Sequence, residues 1–316
     1  MIGTLRRPSA RWLGTLALPG LILAIAIVTG LAEPRFWSAA NLQNLVRQLA
    51  PLLILVTGQL FAVVSRGLDL SIAAVMALAG VVGVLALPYG GLPLALVAMV
   101  LTGLCVGLAN GLIVVAFSVS PLIVTLGMLS VARGIALLLT SGLPLYNVPN
   151  KLVDFVGFGA LAGVPVSSLI AFAVMALAAA ILRVTVFGRY VYAIGSNATA
   201  ARNSGVNVRL VTVLVYVVSG TMAGIAAIVM TAWVSAAQPL AGEGLELQSL
   251  AAVVIGGVAL AGGSGTMLQA FYGALILGLL SNALNMAGVS SFLQTLVIGV
   301  VILIAVVVDR LRVEHG

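Results

Sequence analysis

The 316-residue chain is 62% hydrophobic, carries only 7% charged residues and has a formal net charge of +7. Because a water-soluble domain carries about 25% charged residues, this composition excludes a soluble globular protein and requires lipid around most of the surface. The apolar residues form continuous runs, not the alternating pattern of an outer-membrane β-barrel, and therefore predict membrane-spanning helices.

About 20 apolar residues cross a bilayer as a helix, and the chain contains ten such runs. The first, Trp12–Leu31, follows three arginines. It is longer than the apolar core of a secretory signal and no clear cleavage site follows, so we interpret it as an uncleaved span. The second and eighth runs are short, which is typical of helices that line a transport path. The predicted spans are 12–31, 50–65, 70–87, 92–117, 121–140, 164–186, 210–234, 247–262, 267–286 and 291–308.

The basic residues predict the orientation of these spans. With the N-terminus in the cytoplasm, ten basic residues lie inside and three outside, and Arg133 lies within a span; this asymmetry follows the positive-inside rule, so the charge needs no nucleic-acid partner. Both termini are then cytoplasmic. The inside residues are Arg6, Arg7, Arg11, Arg66, Arg183, Arg189, Arg202, Arg209, Arg310 and Arg312; the outside residues are Arg35, Arg47 and Lys151.

Two halves of the chain resemble each other. GLDLSIAAVMALAG begins at Gly67, and GLELQSLAAVVIGG begins at Gly244, 177 residues later. Further on, Asn110 matches Asn282 and Thr125 matches Thr295, at offsets of 172 and 170 residues. Since the first block lies on the predicted inside and the second on the outside, the pattern predicts an all-α membrane protein built as a 5+5 inverted repeat, an architecture of transporters.

Residues for catalysis are nearly absent. The single histidine is His315, the single lysine is Lys151, and no phosphate-binding G-x-x-x-x-G-K-[ST] motif occurs. We therefore predict no catalytic residue, no metal site and no cofactor on this chain, so that any ATP must be hydrolysed by another subunit. The lone Cys105 is interpreted as a small buried apolar residue. No predicted span has a central Asp, Glu or His, which disfavours a proton- or sodium-coupled transporter.

A few polar residues are candidates for a substrate path or gate. Arg133 is either a contact in the path or a structural partner of backbone carbonyls. Asp69, with Ser71 after it, either caps the helix that follows or acts in gating. Glu243 and Glu246 either cap a helix or face an external partner. Uncharged side chains inside spans could bind a neutral sugar or join helices. The candidates are Asp69, Ser71, Asn110, Thr125, Arg133 and Asn282.

The basic segment Gly188–Leu210 is longer than a tight turn. Within it, Asn197 predicts the cap of a short helix Ala198–Asn203 that ends at Ser204-Gly205. A short helix on the membrane face would suit a soluble docking partner, although an ordinary basic loop explains the charges equally well.

This segment, GRYVYAIGSNATAARNSGVNV, resembles the cytoplasmic coupling loop of ribose-type sugar permeases. Blocks that begin at Pro34, Asn110 and Gly242 resemble other parts of the same family in the same order, so the resemblance covers nearly the whole chain. Arg66 departs from the family, which commonly has glycine there. The matching coupling-loop residues are Gly188, Ala193, Ile194, Gly195, Asn197, Ala200, Ala201, Ser204, Gly205 and Val206.

The resemblance implies a permease subunit in the inner membrane of a bacterium. A separate ATPase subunit that binds ATP and Mg²⁺ would engage the coupling loop 188–209, a periplasmic sugar-binding protein would deliver the substrate, and a second permease subunit would complete a homodimer or heterodimer. In this family the coupling-loop positions would be Gly188, Gly195, Asn197, Ala200, Ala201, Ser204 and Gly205. The alternatives are a stand-alone secondary transporter or facilitator, a branched-chain amino-acid permease and, least supported by residue types, a membrane enzyme.

Overall fold

The computed structural model describes residues 9–314, so His315 lies outside the described residues. This part of the chain is helical except for short connections and a small hairpin, which confirms the predicted all-α class. The helices are α1 (Ser9–Ala32), α2 (Ala39–Val64), α3 (Ile72–Phe117), α4 (Pro121–Thr140), α5 (Asn150–Leu152), α6 (Val166–Val184), α7 (Val186–Asn203), α8 (Val208–Val234), α9 (Leu245–Ile255), α10 (Met267–Met286) and α11 (Ser291–Glu314). A 3-10 helix (Pro34–Trp37) precedes α2, a π-helical turn (Val153–Gly157) follows α5, and β1 (Ala160–Leu161) pairs antiparallel with β2 (Val164–Pro165).

Six of the described helices are long and apolar enough to cross a membrane: α2, α3, α4, α6, α8 and α10. The 46-residue α3 is broken at Gly90 and Gly91, whose backbones leave the helical conformation, and it thereby contains the predicted third and fourth spans. Helices occur at all ten predicted positions in residues 9–314. The count of ten membrane spans itself remains a prediction, because the other described helices are shorter or less apolar.

Two helix boundaries differ most from the predicted spans. Helix α2 begins at Ala39, well before residue 50, because the Ser38 hydroxyl accepts a hydrogen bond from the Asn41 N–H at 3.3 Å and caps the helix. Helix α9 ends at Ile255, short of residue 262, because Gly257 adopts a left-handed φ of +88°. Apolarity alone marked a membrane segment, whereas caps and glycines set the helix ends.

Helix α2 forms the centre of the bundle. Every residue from Leu49 to Val64 is buried, and α2 contacts α6, α8, α9 and α10. Helix α3 packs along α8 through glycines, since a Cβ on Gly103 or Gly107 would overlap a carbonyl oxygen of α8. Cys105, on another side of α3, is exposed, so its predicted burial is wrong. A weakly polar thiol tolerates a lipid-facing position as well as a core position.

Two groups of contacts lie at opposite ends of α2. At the end that follows Val64, which we call the α7 end, residues 64–66 contact α7 and the loop 256–266. At the other end, the hairpin end, Gln43 on α2 donates to the Gly163 carbonyl in the β-hairpin at 3.2 Å. There too, a β-bridge joins Leu145 to Ala237. Each contact joins segments that the predicted topology assigns to one side of the membrane.

Candidate functional site

A buried polar cluster surrounds Asp69, in the loop between α2 and α3. The Asp69 side chain accepts three hydrogen bonds: Oδ1 from the N–H and hydroxyl of Ser71, at 3.0 and 2.6 Å, and Oδ2 from the hydroxyl of Ser219 on α8, at 2.6 Å. The Asn110 amide, farther along α3, donates to the Ser71 hydroxyl at 2.9 Å. Asp69 is only 1% exposed. The carboxyl group therefore joins the start of α3 to a later turn of α3 and to α8.

The neighbouring Leu68 carbonyl extends this cluster. It accepts hydrogen bonds from Thr125 on α4 and from Tyr216 on α8, both at 3.3 Å. Four of the six candidate path residues, Asp69, Ser71, Asn110 and Thr125, thus meet at one place. Tyr216 was missed by sequence reasoning, although it is the one tyrosine in the predicted span 210–234. Both carboxylate oxygens of Asp69 are engaged, but the one backbone N–H that they accept belongs to Ser71, which precedes the first residue of α3. A cap on the helix itself therefore stays a prediction.

Arg133 lies away from this cluster and contacts two carboxylates. Its guanidinium group lies 3.2 Å from Glu243 and 3.9 Å from Glu246, so the expected backbone-carbonyl partners are replaced by acidic side chains. Glu246 also accepts the Gly244 N–H at 3.1 Å and caps the start of α9, whereas the Glu243 side chain is 60% exposed. The sequence could not show this pairing, because 110 residues separate Arg133 from Glu243.

Asn282 is also apart from the Asp69 cluster, in the C-terminal half of α10. Its amide and that of Asn41, at the start of α2, exchange two hydrogen bonds at 3.0 and 3.2 Å. Asn41 lay outside every predicted span and was not a candidate. Because Asn282 is 2% exposed and its amide is paired, it joins α10 to α2 at the hairpin end.

The basic segment forms α7. Its backbone leaves the helical conformation at Asn197, whose side-chain oxygen accepts the Ala200 N–H at 3.0 Å. This is the predicted cap of the short helix, which is confirmed. The helix ends at Asn203 with Ser204 as its C-cap, and Gly205 adopts a φ of +87°, a left-handed conformation that glycine enters without strain. The preceding residues are helical as well, because Thr185 accepts the Gly188 N–H at 3.1 Å.

Helix α7 attaches closely to the α7 end of the bundle. A Cβ on Gly195 would overlap the Val64 carbonyl oxygen and lie 2.5 Å from the Gly263 nitrogen. Gly263 itself donates to that carbonyl at 2.8 Å, and the Tyr192 hydroxyl donates to the Gly265 carbonyl at 2.7 Å. Three backbones therefore meet at Gly195, which only a residue without a side chain permits.

Arg66 adds a second link between the same three segments. Its Nε donates to the Ala261 carbonyl at 2.6 Å, and its Nη2 donates to the Ser196 carbonyl at 3.2 Å. Its φ of +65° lies in the left-handed region, which explains why glycine suits this position. A non-glycine residue there costs about 1–3 kcal/mol, and the two hydrogen bonds of the side chain offset that cost.

Two replacements of Arg66 should therefore differ in the stability of the folded permease. Arg66→Ala keeps the left-handed backbone and loses both hydrogen bonds, whereas Arg66→Gly loses the bonds but relieves the backbone. We expect the glycine variant to be more stable than the alanine variant by about 1 kcal/mol, measured as the thermal unfolding midpoint in one detergent. An alanine variant at least as stable as the glycine variant would contradict the left-handed conformation.

The coupling-loop candidates divide into two groups by burial. Gly188, Gly195 and Ala201 are buried against the bundle. The other four face away from it and are exposed; they are Asn197, Ala200, Ser204 and Gly205. Arg189 and Arg202 are exposed beside them. Within residues 9–314, no three potential metal-ligating side chains come together.

Known proteins resemble this chain along nearly its whole length. A family model described as branched-chain amino acid transport system / permease component matches residues 41–306. The ribose import permease protein RbsC of Escherichia coli (strain K12) is 39% identical over 299 residues, which cover 93% of this chain and 92% of that protein. The chain belongs to the ribose-type family of ABC transporter permeases.

Two further relatives are similar to this permease over nearly the same share of the chain. The ribose import permease of Bacillus subtilis (strain 168) is 38% identical over 92% of this chain and 91% of its own length. The D-allose transport system permease of Escherichia coli (strain K12) is 34% identical over 92% of this chain and 90% of its own length. No solved structure matches the chain.

Membership of the family confirms several predictions. The chain is the multi-pass membrane permease of a bacterial sugar importer and is not itself an ATPase. A permease of this kind works with a separate ATPase and a substrate-binding protein.

Proposed function

We propose that this permease imports a neutral monosaccharide of the ribose or allose kind, driven by ATP and Mg²⁺ on a partner ATPase. The observation that carries the proposal is the similarity to ribose and allose permeases over more than nine tenths of the chain. The residue types agree with it, since a neutral, hydroxyl-rich solute needs amides and hydroxyls rather than a buried ion relay.

The proposed membrane arrangement has ten spans, both termini in the cytoplasm and two inverted five-span halves. The contacts at the two ends of α2 support it, because each joins segments on the same predicted side. The packing supports the repeat as well, because α3 of the first half contacts α8 of the second half. The matched helices, α10 for the second part of α3 and α2 for α8, also contact each other. Matched contacts of this kind are expected when two similar halves are related by a two-fold axis.

The proposed ATPase contact is the exposed face of α7. Asn197, Ala200, Ser204 and Gly205 would meet the partner, while Gly188, Gly195 and Ala201 would carry its movement into the bundle. Arg66 supports this role, because its hydrogen bonds tie α7 to the loops that precede α3 and α10. Through this link, motion of α7 would reach the Asp69 cluster, three residues farther along the chain.

We further propose that the Asp69 cluster is a hinge for gating and that Arg133 and Asn282 hold the hairpin end. The hinge assignment is supported by the satisfied hydrogen bonds of Asp69 to α3 and α8, which fix the loop that α7 contacts. A second permease subunit, a copy of this chain or another permease, would complete the path, and a periplasmic binding protein would dock at the hairpin end.

The test is uptake of radiolabelled D-ribose and D-allose into proteoliposomes. The permease is reconstituted with its co-purifying ATPase, with and without a candidate sugar-binding protein. We expect uptake only when permease, ATPase, binding protein and ATP are all present. Uptake by the permease alone, without ATP, would replace the proposal with the facilitator alternative.

A further inference from the structure

A cavity of about 260 Å³ lies inside the bundle near the hairpin end, apart from the Asp69 cluster. Its walls come from the first half of α2, the end of α8, the start of α9, the second half of α10 and the start of α11. None of the residues that line it is charged. Its polar and aromatic lining consists of Gln48, Trp233, Gln248, Ser281, Gln294 and Thr295.

We infer that this cavity binds one neutral monosaccharide ring during its passage through the permease. The inference rests on the proposed function and adds a binding site inside the membrane subunit itself. The volume is slightly below the roughly 300–1,000 Å³ of pockets for drug-sized ligands, which suits a single sugar ring. An uncharged lining excludes selection of ions or amino acids by charge and favours a neutral solute.

Four polar side chains of the cavity have hydrogen-bonding groups left for a ligand. The side chains of Gln48, Gln248 and Ser281 make no hydrogen bond to any described residue, and each can both donate and accept. Gln294 uses only its amide nitrogen, which donates to the Val289 carbonyl at 2.8 Å, and its carbonyl oxygen is left for a ligand. Trp233 and the surrounding leucines offer apolar surface to the C–H groups of a sugar ring.

The internal repeat independently explains why a cavity is present beside the start of α11. Thr295 and Gln294 match Thr125 and Val124 of the first half at the offset of 170 residues. In the first half that place is filled: Tyr216 packs against Val124, and hydrogen bonds join Asp69, Ser71 and Asn110. The second half has amides and a cavity there. One half thus holds a tightly packed hydrogen-bonded cluster, and the other holds a polar site available to a solute.

Thiol protection in the intact transporter tests the inference. Ser281→Cys is placed in a Cys105→Ser background, the complex is reconstituted in proteoliposomes, and the rate of N-ethylmaleimide labelling is measured with and without D-ribose. We expect D-ribose, at concentrations that saturate uptake, to slow labelling at least threefold. The matched control, Ser130→Cys on the exposed face of α4, should label at the same rate throughout. Equal labelling of Ser281→Cys with and without D-ribose overturns the inference.

Two side-chain variants separate this inference from the proposed function. Gln248→Leu keeps the side-chain size but removes its hydrogen bonds, and it should lower D-ribose uptake at least tenfold and abolish the protection. ATPase co-purification should stay unchanged. Ser130→Ala, on the exposed face of α4 outside the cavity, is the control and should transport normally. Normal uptake by Gln248→Leu refutes the cavity as a sugar site but leaves the proposed import function intact. Absence of D-ribose uptake by the unmodified transporter refutes the proposed function, whatever the labelling shows.

Discussion

Gly195→Ala should lower the rate of ATP-driven uptake at least about tenfold. The added methyl group would overlap the Val64 carbonyl oxygen and press on the Gly263 nitrogen, and both are main-chain atoms that no rotamer change can move. Overpacking of a tight contact costs about 1–3 kcal/mol, so α7 should shift away from the bundle. The measurements are uptake in proteoliposomes and the amount of ATPase that co-purifies with the permease.

The matched control is Gly127→Ala on α4. Gly127 is also a helical glycine, but a Cβ there meets no atom within 4 Å, so uptake should be retained. We expect Gly195→Ala still to bind the ATPase through the exposed residues of α7 while uptake is lost. Full uptake by Gly195→Ala would show that the close approach of the three backbones has no part in coupling.

Asp69→Ala should destabilise the permease by about 3–5 kcal/mol. Three donors, the Ser71 N–H, the Ser71 hydroxyl and the Ser219 hydroxyl, would lose their acceptor, and each buried unsatisfied group costs about 1–3 kcal/mol. Asp69→Asn should cost less, because its carbonyl oxygen still accepts from Ser71 and the Ser219 hydroxyl can rotate to accept from the amide. The thermal unfolding midpoint in detergent measures both effects.

Asp154→Ala provides the comparison for this substitution. Asp154 is exposed and is not part of a buried network, so its replacement should change stability by no more than about 0.5 kcal/mol. If Asp69→Ala and Asp154→Ala unfold at the same temperature, the Asp69 cluster does not hold α3 to α8. If Asp69→Ala folds normally but uptake is lost, a direct role in gating replaces the structural one.

Composition and local pattern predicted the class of this protein and several of its local features. A chain with so few charges must be surrounded by lipid, and a polypeptide in lipid must satisfy its own backbone, so helices followed directly. The cap at Asn197 and the helix end at Ser204-Gly205 were also predictable, because both depend on residues within three positions of each other. The family resemblance rested on motifs that are contiguous in the sequence.

The contacts that define the candidate sites could only come from the tertiary structure. Asp69 and Ser219 are 150 residues apart, and the Asn41–Asn282 pair spans 241 residues; no local periodicity encodes which distant helix supplies a partner. The same applies to Arg133, whose partners depend on how the loop before α9 folds back over α4.

Helix ends such as Ile255 and the cavity between Gln48 and Gln248 were likewise set by how the helices pack. The sequence by itself determined the composition of each segment and its helical structure in lipid. Tertiary packing decided which polar groups meet, because hydrogen bonds between helices form only where the fold places two polar side chains side by side.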